Sequence, residues 1–324
     1  MSSIRSVIRG VGGYLPARVV TNEELAGLVD TSDEWITGRT GIRERHIVAE
    51  GELTSTMGVI AAKAALADAG LTPDDIDLIV LATSTPDQTF PATAVTIQAE
   101  LGITHGAAFD VQAVCSGFIF ALATADNYLK GSTFKRALVI GSETFSRILD
   151  WEDRNTCVLF GDGAGAVIVK PSDEPGILSC HLGADGQYRD LLYYPVGASN
   201  QLAKAGTDEA AIQMTGSEVF KVAVRTLGGI ASETLDKAGV DKSDLDWLIP
   251  HQANIRIIQA TAKRLDLPME KVILTVQDHG NTSAASVPMA LDVGIRDGRV
   301  KKGQLILMEA FGGGFTWGSV LMRL

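Results

Sequence analysis

Cys115 is the side chain in this sequence best suited to nucleophilic chemistry. It lies in DVQAVCSGFIF (110–120), where an apolar run meets a Ser-Gly-Phe step. A thiolate can attack a carbonyl carbon and hold the acyl group as a covalent intermediate. A helical pattern begins near Ser116, and the N–H groups and dipole of a helix N-terminus favour a thiolate, so we predict a lowered pKa for the Cys115 thiol. Taken alone, a cysteine in an apolar run is more often a small core residue.

Two neutral hydrogen-bond donors in the second half of the sequence could assist such a nucleophile. His251 follows the strand-like WLI in PHQAN (250–254), and Asn281 lies at a Gly-Asn step in DHGNTSAASVP (278–288). Donors of this kind stabilise a developing oxyanion by on the order of 3 kcal/mol each. Taken singly, a structural histidine and a turn asparagine are the better interpretations, so only the combination favours chemistry. His279, which flanks Asn281, is the weaker histidine candidate.

Hydrophobic patterns predict the elements that must hold these residues. Strand-like runs rich in Val, Ile and Leu occur at 78–83, 136–142, 166–170, 247–250 and 304–309. Helical patterns occur at 56–70, 116–131, 219–239 and 256–265. Because strands and helices alternate, the sequence predicts α/β layers.

Two pairs of similar segments indicate a tandem duplication. AGLTPDDIDLIV (69–80) and AGVDKSDLDWLI (238–249) share one pattern, at an offset of 238 − 69 = 169 residues. RALVIGSE (136–143) and QLILMEA (304–310) match at nearly the same offset. Two matches at one spacing favour a duplicated α/β unit over chance.

We place the boundary between the halves at the Pro- and Gly-containing PSDEPG segment. The predicted units are 1–173, which contains Cys115, and 174–324, which contains His251 and Asn281. A site where the halves meet would therefore combine side chains from both.

Several motifs occur together along nearly the whole chain. They are TSDEWITGRTGIRERH (31–46), CSGF (115–118), FGDGAGA (160–166), HQAN (251–254), HGNTSAAS (279–286) and EAFGGGFTWGS (309–319). With them the chain resembles the β-ketoacyl-acyl carrier protein synthase III family of the thiolase superfamily. The resemblance implies a thiolase-like five-layer αβαβα fold made of two duplicated halves, a homodimer, and a catalytic triad of Cys115, His251 and Asn281.

The resemblance also implies a reaction. An acyl-CoA, expected from the resemblance to be acetyl-CoA, would acylate Cys115. Decarboxylation of malonyl-acyl carrier protein would then supply the carbanion, which condenses with the acyl group to give a 3-oxoacyl product. His251 and Asn281 would stabilise the enolate, and the backbone N–H groups of Cys115 and Gly313 would form the oxyanion hole. The glycine run at Gly313 allows a close backbone approach. Coenzyme A is a substrate here, and no cofactor or metal is expected.

Further site residues follow from the resemblance by position. Trp35 and Arg154 would stack on the adenine of coenzyme A. Thr31, Arg39 and Asn254 would contact its phosphate or pantetheine groups. Phe90 matches the position that closes the primer pocket across the dimer interface, and its bulky ring favours a short acyl primer.

The net charge of the chain limits the classes of partner that it can bind. The net charge of -11 argues against a nucleic-acid surface or an anionic membrane. An acidic carrier protein would need a local basic patch, for which the sequence offers four candidates. They are Lys221, Arg256, Lys263 and Arg264.

Cysteine usage and the N-terminus predict a cytoplasmic protein. Cys115, Cys157 and Cys180 show no CxxC or Cys/His ligand spacing, so neither a disulfide framework nor a zinc site is indicated. MSSIRSVIRGVGGYLP (1–16) reaches Gly and Pro before it could form a signal-peptide core. No apolar run approaches the roughly 18 to 20 residues that span a bilayer.

Two other functions stay open at this point. A related superfamily enzyme of secondary metabolism would share the triad, and so would the chalcone-synthase-like group, which fits the TSDEW and EAFGGG segments less well. A non-catalytic acyl-CoA-binding protein would bind the thioester without turnover, but an intact Cys/His/Asn set counts against it. GVGG (10–13) and GDGAGA (161–166) are not followed by a convincing helix, so nicotinamide binding is not expected.

Overall fold

The computed structural model describes residues 5–200, 207 and 210–324. Its strands are β1 (Arg5–Tyr14), β2 (Arg18–Thr21), β3 (Glu44–Ile47), β4 (Leu78–Ala82), β5 (Ala107–Val111), β6 (Ala137–Glu143), β7 (Gly163–Ser172), β8 (Ile177–Ala184), β9 (Leu192–Tyr193), β10 (Gln213–Met214), β11 (Trp247–Pro250), β12 (Leu305–Gly312) and β13 (Thr316–Arg323). Its α-helices are α1 (Asn22–Ala26), α2 (Asp33–Thr40), α3 (Thr54–Ala69), α4 (Thr93–Glu100), α5 (Gly117–Lys130), α6 (Gly216–Ala238), α7 (Ile255–Arg264), α8 (Val276–His279) and α9 (Ser286–Arg296). Each predicted strand and helix lies on one of these elements.

Two mixed sheets form the framework. The first has the order β1-β7-β6-β4-β5, and the second has the order β11-β12-β13-β8. In both sheets a central strand pairs in parallel with one neighbour and antiparallel with the other: β6 lies between β4 and β7, and β12 lies between β11 and β13. Two short antiparallel pairs, β2-β3 and β9-β10, lie outside the large sheets.

Helices complete five layers around the two sheets. α5 and α9 lie between the sheets and pack against strands of both, while α3 and α4 cover the outer face of the first sheet and α6 covers the second together with α7. The largest apolar cluster combines side chains from both sheets with those of α5 and α9. Burial on both faces explains why β4 and residues 137–141 of β6 are apolar without alternation. The αβαβα prediction is confirmed.

The internal repeat is visible in the local structure. α3 and α6 both end at a glycine in the left-handed conformation, Gly70 and Gly239, each with φ near 65°. A short 3-10 turn and a strand follow in each case. The register also repeats, because Leu78 pairs with Ala137 in the first sheet and Trp247 pairs with Ile306 in the second, with 78 + 169 = 247 and 137 + 169 = 306.

We propose the division into residues 1–173 and 174–324 on this ground. The strands of the five-stranded sheet all lie at or before Ser172, and those of the four-stranded sheet all begin at or after Ile177. The halves are not separate bodies, since α9 of the second half packs on β1 and β7 of the first.

The segment considered as a possible signal peptide is a sheet strand from residue 5 onward, and its residues 1–4 lie outside the described range. Among the helices of the described residues, none combines the length and apolar character required to cross a membrane.

Candidate active site

One cavity of about 810 Å³ brings the three proposed catalytic side chains together. Cys115 of the first half and His251 and Asn281 of the second half all line its wall. They are 4%, 6% and 6% exposed. Side chains from distant parts of the sequence therefore meet at one partly enclosed space, as the duplication predicts.

A 3-10 turn at the N-terminal end of α5 positions Cys115. The turn spans Val114–Ser116 and leads directly into the helix. Val114 has a φ of 47°, a conformation that a β-branched residue rarely adopts. The Ser116 hydroxyl closes the turn through bonds of 2.7 Å to the Ala113 carbonyl and to the Thr316 hydroxyl. Strain of this kind is held in place by the surrounding structure and is common at active sites.

The structure contradicts the prediction of a lowered pKa for Cys115. Burial raises the pKa of the Cys115 thiol to about 12, and the negative field of Glu143 adds to the increase. A hydrogen bond with the Ser283 side chain acts in the opposite direction. The sequence argument placed Cys115 correctly at a helix N-terminus but did not include the desolvation of its buried sulfur. The resting group is a thiol, and its attack on a carbonyl requires a proton acceptor.

His251 is held as a neutral imidazole. It follows β11, and its backbone N–H donates to the Glu309 carbonyl at 2.8 Å. Burial lowers the pKa of His251 to about 3. Nδ1 lies 2.6 Å from the Ser286 hydroxyl, which also accepts from the Gln252 N–H at 3.4 Å. We assign the Ser286 hydroxyl as the donor to Nδ1, which places the imidazole hydrogen on Nε2 and makes His251 a neutral donor.

A hydrogen bond from a residue two positions further along the chain orients the Asn281 amide. Its Oδ1 accepts from the Ser283 N–H at 2.9 Å, which leaves the amide N–H groups as the side that can donate to a ligand. Backbone bonds to Leu159 and Gly161 hold the residue beside the loop before β7. Asn281 and His251 thus have matching chemistry, both being neutral donors.

The glycine run that begins at the end of β12 passes close to Cys115. A Cβ at Gly312 would lie 2.7 Å from the Cys115 nitrogen, so only glycine fits at this distance. Gly312 lines the cavity, whereas Gly313, the residue assigned to the oxyanion hole from the sequence, is not among the lining residues. A Cβ at Gly313 would meet the Leu192 carbonyl at 2.8 Å.

Three of the five residues expected to bind coenzyme A line the same cavity, whereas Thr31 and Arg154 are not among its lining residues. Trp35, Arg39 and Asn254 line it. The Arg39 and Arg154 guanidinium carbons lie 4.7 and 5.4 Å from the Trp35 ring centre. Thr31 is not on the wall, but its hydroxyl is buried with no hydrogen-bond partner among the described residues.

The basic candidates divide into two groups. Lys221 and Arg256 line the cavity, and Arg256 also packs over the Phe220 ring at 5.3 Å. Lys263 and Arg264 are exposed in the last turn of α7 and are not part of the wall. Because Arg256 and Lys263 are seven residues apart, they share one face of the helix and are separated by roughly 10 Å.

Phe90 is not part of the catalytic cavity. Its side chain is 82% exposed, in the segment between β4 and α4. A second cavity of about 630 Å³ is lined by its neighbour Thr89, by Val114 next to the nucleophile, and by Leu192, which also lines the first cavity.

Three polar residues next to the site were not identified from the sequence. Ser283 and Ser286 lie in the quoted HGNTSAAS motif, which could have suggested them, and they contact Asn281 and His251. Glu143 ends the repeated segment RALVIGSE, and its buried carboxylate accepts from the Ser283 hydroxyl at 3.0 Å. No pattern around Glu143 separates it from an ordinary strand-end residue.

Comparison with known proteins relates this geometry to a described family. Residues 109–186 match 3-oxoacyl-[acyl-carrier-protein] synthase III, and residues 235–324 match its C-terminal part. The β-ketoacyl-[acyl-carrier-protein] synthase III of Methylococcus capsulatus is 60% identical over 319 residues, which cover 98% of each chain.

Solved structures of similar proteins share the fold. The 3-oxoacyl-[acyl-carrier-protein] synthase III of Aquifex aeolicus is 50% identical and superimposes with a TM-score of 0.93, over 98% of this chain and all of that one. The priming β-ketosynthase of the R1128 polyketide biosynthetic pathway is 39% identical, with a TM-score of 0.94 over 99% of this chain and 96% of that one.

Proposed function

The chain belongs to the 3-oxoacyl-[acyl-carrier-protein] synthase III family, and from this premise we propose how its own residues perform the condensation. The enzyme is an acyltransferase that condenses a short acyl-CoA with malonyl-acyl carrier protein and so initiates fatty acid biosynthesis. The observation that supports this function most directly is the meeting of Cys115, His251 and Asn281 in one cavity.

The first half-reaction is the acylation of Cys115. Its sulfur attacks the thioester carbonyl, the carbon–sulfur bond to coenzyme A breaks, and the acyl group stays on the enzyme. Backbone N–H groups of Cys115 and the glycine loop stabilise the tetrahedral oxyanion. We retain Gly313 as the second donor, with the neighbouring Gly312 allowing the loop to approach Cys115.

The second half-reaction forms the new carbon–carbon bond. The malonyl thioester loses carbon dioxide, and its carbonyl oxygen becomes an enolate that accepts from His251 Nε2 and the Asn281 amide. Both groups are neutral donors already oriented by neighbours, so they need little rearrangement as charge develops. The enolate carbon then attacks the acyl carbon on Cys115 and releases the 3-oxoacyl product.

Coenzyme A would enter past Trp35. The adenine stacks on this ring together with Arg154, while Thr31, Arg39 and Asn254 contact the phosphate and pantetheine groups. In the structure, the Arg154 guanidinium carbon lies 5.4 Å from the Trp35 ring centre, and its Nη1 donates to the Asp30 carbonyl. A base between them needs about 3.5 Å to each partner, so Arg154 must move outward on binding.

The functional unit is proposed to be a homodimer that uses acetyl-CoA or a similarly short primer. β5 forms an edge of the first sheet and is only partly buried, a suitable surface for a second copy. The exposed ring of Phe90 would then enter the second cavity of the other copy, near Val114, and limit primer length.

The acyl carrier protein is proposed to dock at the basic residues around the cavity mouth. Lys221 and Arg256 lie at the cavity, and Lys263 and Arg264 extend the positive charge along α7. This local patch compensates for the overall charge of -11.

We place the enzyme in the cytoplasm because all three cysteines are free thiols, one of them the proposed nucleophile. The proposed reaction uses coenzyme A thioesters as substrates and requires no cofactor.

Intact mass after incubation with a series of acyl-CoAs tests the proposal. The expected result is a mass gain of one acyl group at Cys115, largest with acetyl-CoA and absent in Cys115→Ala. Labelling at another residue, or none with any primer, contradicts the proposed nucleophile.

The main alternative is a priming enzyme of secondary metabolism, and the similarity to the R1128 ketosynthase supports this alternative. The rate of condensation with malonyl-acyl carrier protein, compared with malonyl-CoA, separates the two. Strong preference for a polyketide carrier protein over that of fatty acid synthesis would favour the alternative.

A further inference from the structure

Arg45 is a fully buried arginine on β3 that contacts three separate segments of the chain. Its guanidinium donates to the Val20 carbonyl at 3.1 Å, to Asn22 Oδ1 at 2.9 Å and to the Val158 carbonyl at 2.8 Å. Burial lowers the pKa of Arg45 to about 10, so the group is still charged at neutral pH. The three acceptors are uncharged oxygen atoms, so these contacts stabilise the charge by hydrogen bonding.

Asn22 extends the contact of Arg45 to the helix expected to bind coenzyme A. Its side chain is also fully buried, and its Nδ2 donates to Asp33 Oδ1 at 2.7 Å. Asp33 is the first residue of α2, the helix that carries Trp35 and Arg39. The Asn22 amide thus lies between a buried cation and a carboxylate, and each of these hydrogen bonds strengthens the other.

The contact with Val158 holds the segment before β7, which forms part of the cavity wall. Val158 and its neighbour Leu159 both line the cavity. The Leu159 carbonyl accepts from the Asn281 backbone N–H at 2.9 Å. The carbonyl held by Arg45 is therefore one residue away from the carbonyl that holds Asn281.

The stem of Arg45 also lies against both segments that hold Asn281. A Cβ added to Gly161 or to Gly280 would lie 3.1 Å from the Arg45 Cβ. Gly280 directly precedes Asn281, and the Gly161 N–H donates to the Asn281 carbonyl at 3.0 Å. Because these contacts are close, they leave little space for Arg45 and the Asn281 backbone to move independently.

We propose that Arg45 is a positioning residue that fixes α2, which would bind coenzyme A, relative to Asn281, an inference that rests on the proposed function. Arg45 is not among the described residues that line the cavity, so it acts only through the groups that it holds. In the proposed reaction both thioesters enter the same cavity, one after the other. The position of α2 relative to Asn281 then decides where each thioester lies, and an error of about 1 Å can lower a rate by about 10²-fold.

Arg45→Met tests the inference, because methionine retains much of the side-chain stem but removes all three hydrogen bonds. We expect the Kd for coenzyme A, measured by titration calorimetry, to rise about 10-fold, and condensation of the acetylated enzyme with malonyl-acyl carrier protein to slow about 10- to 100-fold. The rate of Cys115 acylation at saturating acetyl-CoA should stay within a few fold of the wild type, since Cys115 is held by its own turn. A loss of stability alone would not produce this split.

Asn22→Ala separates the two contacts. It removes the connection to α2, while the hydrogen bond from Arg45 to the Val158 carbonyl is kept. The Kd for coenzyme A should therefore rise as in Arg45→Met, and the condensation rate should fall less. Amide hydrogen exchange makes the same distinction without any substrate, because it should increase in α2 and in residues 156–161 in Arg45→Met, but only in α2 in Asn22→Ala.

Arg5→Met is the matched control, because Arg5 also donates to backbone carbonyls, those of Ile177 and Leu178 at 2.9 and 3.1 Å. None of these three residues lines the cavity. This variant should leave the Kd for coenzyme A and both rates unchanged, even where its melting temperature falls.

Two results would overturn the inference. One is an unchanged Kd for coenzyme A in Asn22→Ala, a test that holds even where Arg45→Met does not fold. The other is an equal loss of affinity and condensation in Arg45→Met and Arg5→Met, which would assign Arg45 to stability alone. If the wild type neither binds coenzyme A nor acylates Cys115, the proposed function itself fails, and the inference fails with it.

Discussion

The two 3-10 turns that meet at the cavity have one backbone geometry and two different sets of side chains. Val114–Ser116 in the first half and Ser283–Ala285 in the second are related by the same offset, 114 + 169 = 283. Each turn begins with a residue of positive φ, 47° and 49°, and leads into a helix between the sheets. Cys115 occupies the middle of the first turn, and Ala284 occupies the middle of the second.

The comparison shows that the two halves have equivalent backbone positions, and that each of these positions carries a candidate catalytic side chain in only one half. His251, the residue after β11, corresponds to Ala82, the last residue of β4, since 82 + 169 = 251. Asn281 corresponds in the same way to Gln112. In the proposed mechanism the first half provides the nucleophile and the second half provides the donors, so neither half contains the complete site.

Moving the nucleophile to the equivalent turn gives the strictest test of this division. In Cys115→Ala/Ala284→Cys we expect condensation to fall by more than about 10³-fold, the order of losing a catalytic nucleophile. Ala284 is fully buried and is not part of the cavity wall, so a thiol there cannot reach the substrate. The acyl adduct is measured by intact mass, with Cys115→Ala alone as the control. Recovery of acylation at residue 284 would show that the two turns are interchangeable.

Removing the donors separates the two half-reactions. His251→Ala and Asn281→Ala should each lower the condensation rate by about 10²- to 10³-fold, because each removes one oriented donor to the enolate. Acylation of Cys115 should stay within a few fold of the wild type. Single-turnover acylation and product formation are measured separately, with His279→Asn as a neighbouring-histidine control that should change neither. Loss of acylation in both variants would assign these residues to the first half-reaction instead.

The two buried glutamates, Glu143 and Glu309, are expected to have opposite effects on the stability of the fold. Burial raises the pKa of Glu309 to about 8, and neither of its oxygens has a partner among the described residues, whereas Glu143 accepts five hydrogen bonds. Between pH 4.5, the ordinary pKa of a glutamate, and about pH 8, Glu309 is protonated in the folded protein but ionised in the unfolded chain. The free energy of unfolding therefore falls as pH rises through this window.

Glu309→Gln should therefore raise the melting temperature by about 2 to 8 °C at pH 9 and leave it unchanged near pH 4, where the wild-type carboxyl is protonated. Glu143→Gln should lower the melting temperature at pH 9, because the Gln amide cannot accept all five hydrogen bonds that the Glu143 carboxylate accepts. Thermal unfolding of both variants at pH 4, 7 and 9 measures the effect. Equal shifts in both would contradict the contrast.

The smallest effect is expected at the helix surfaces. α7 contains Arg256, Lys263 and Arg264, whereas α4 of the first half contains neither Lys nor Arg. Lys263→Glu should raise the KM for malonyl-acyl carrier protein roughly 3- to 10-fold at low salt, since an exposed charge contributes up to about 1 kcal/mol. The KM for acetyl-CoA should not change. Glu100→Lys on α4 is the control, and an equal effect there would place the docking surface elsewhere.

Sequence alone was enough to predict the fold class, the repeat and the three side chains that meet in the cavity. Alternating apolar runs, the glycine after each long helix and the segments repeated 169 residues apart are local features, and local sequence controls them. The joined motifs indicated the family because their combination is specific, although Cys115, His251 or Asn281 taken singly would have been assigned to ordinary structure.

The electrostatics of the site could not be predicted from the sequence, because they depend on how distant segments pack. The raised pKa of Cys115 depends on burial produced by both sheets, and the contact of Ser283 with Glu143 joins residues 140 positions apart. The position of Gly312 over the Cys115 nitrogen likewise depends on how β12 lies against the turn. Desolvation and hydrogen bonding are properties of the packed surroundings, so they become definite only when distant segments of the chain meet.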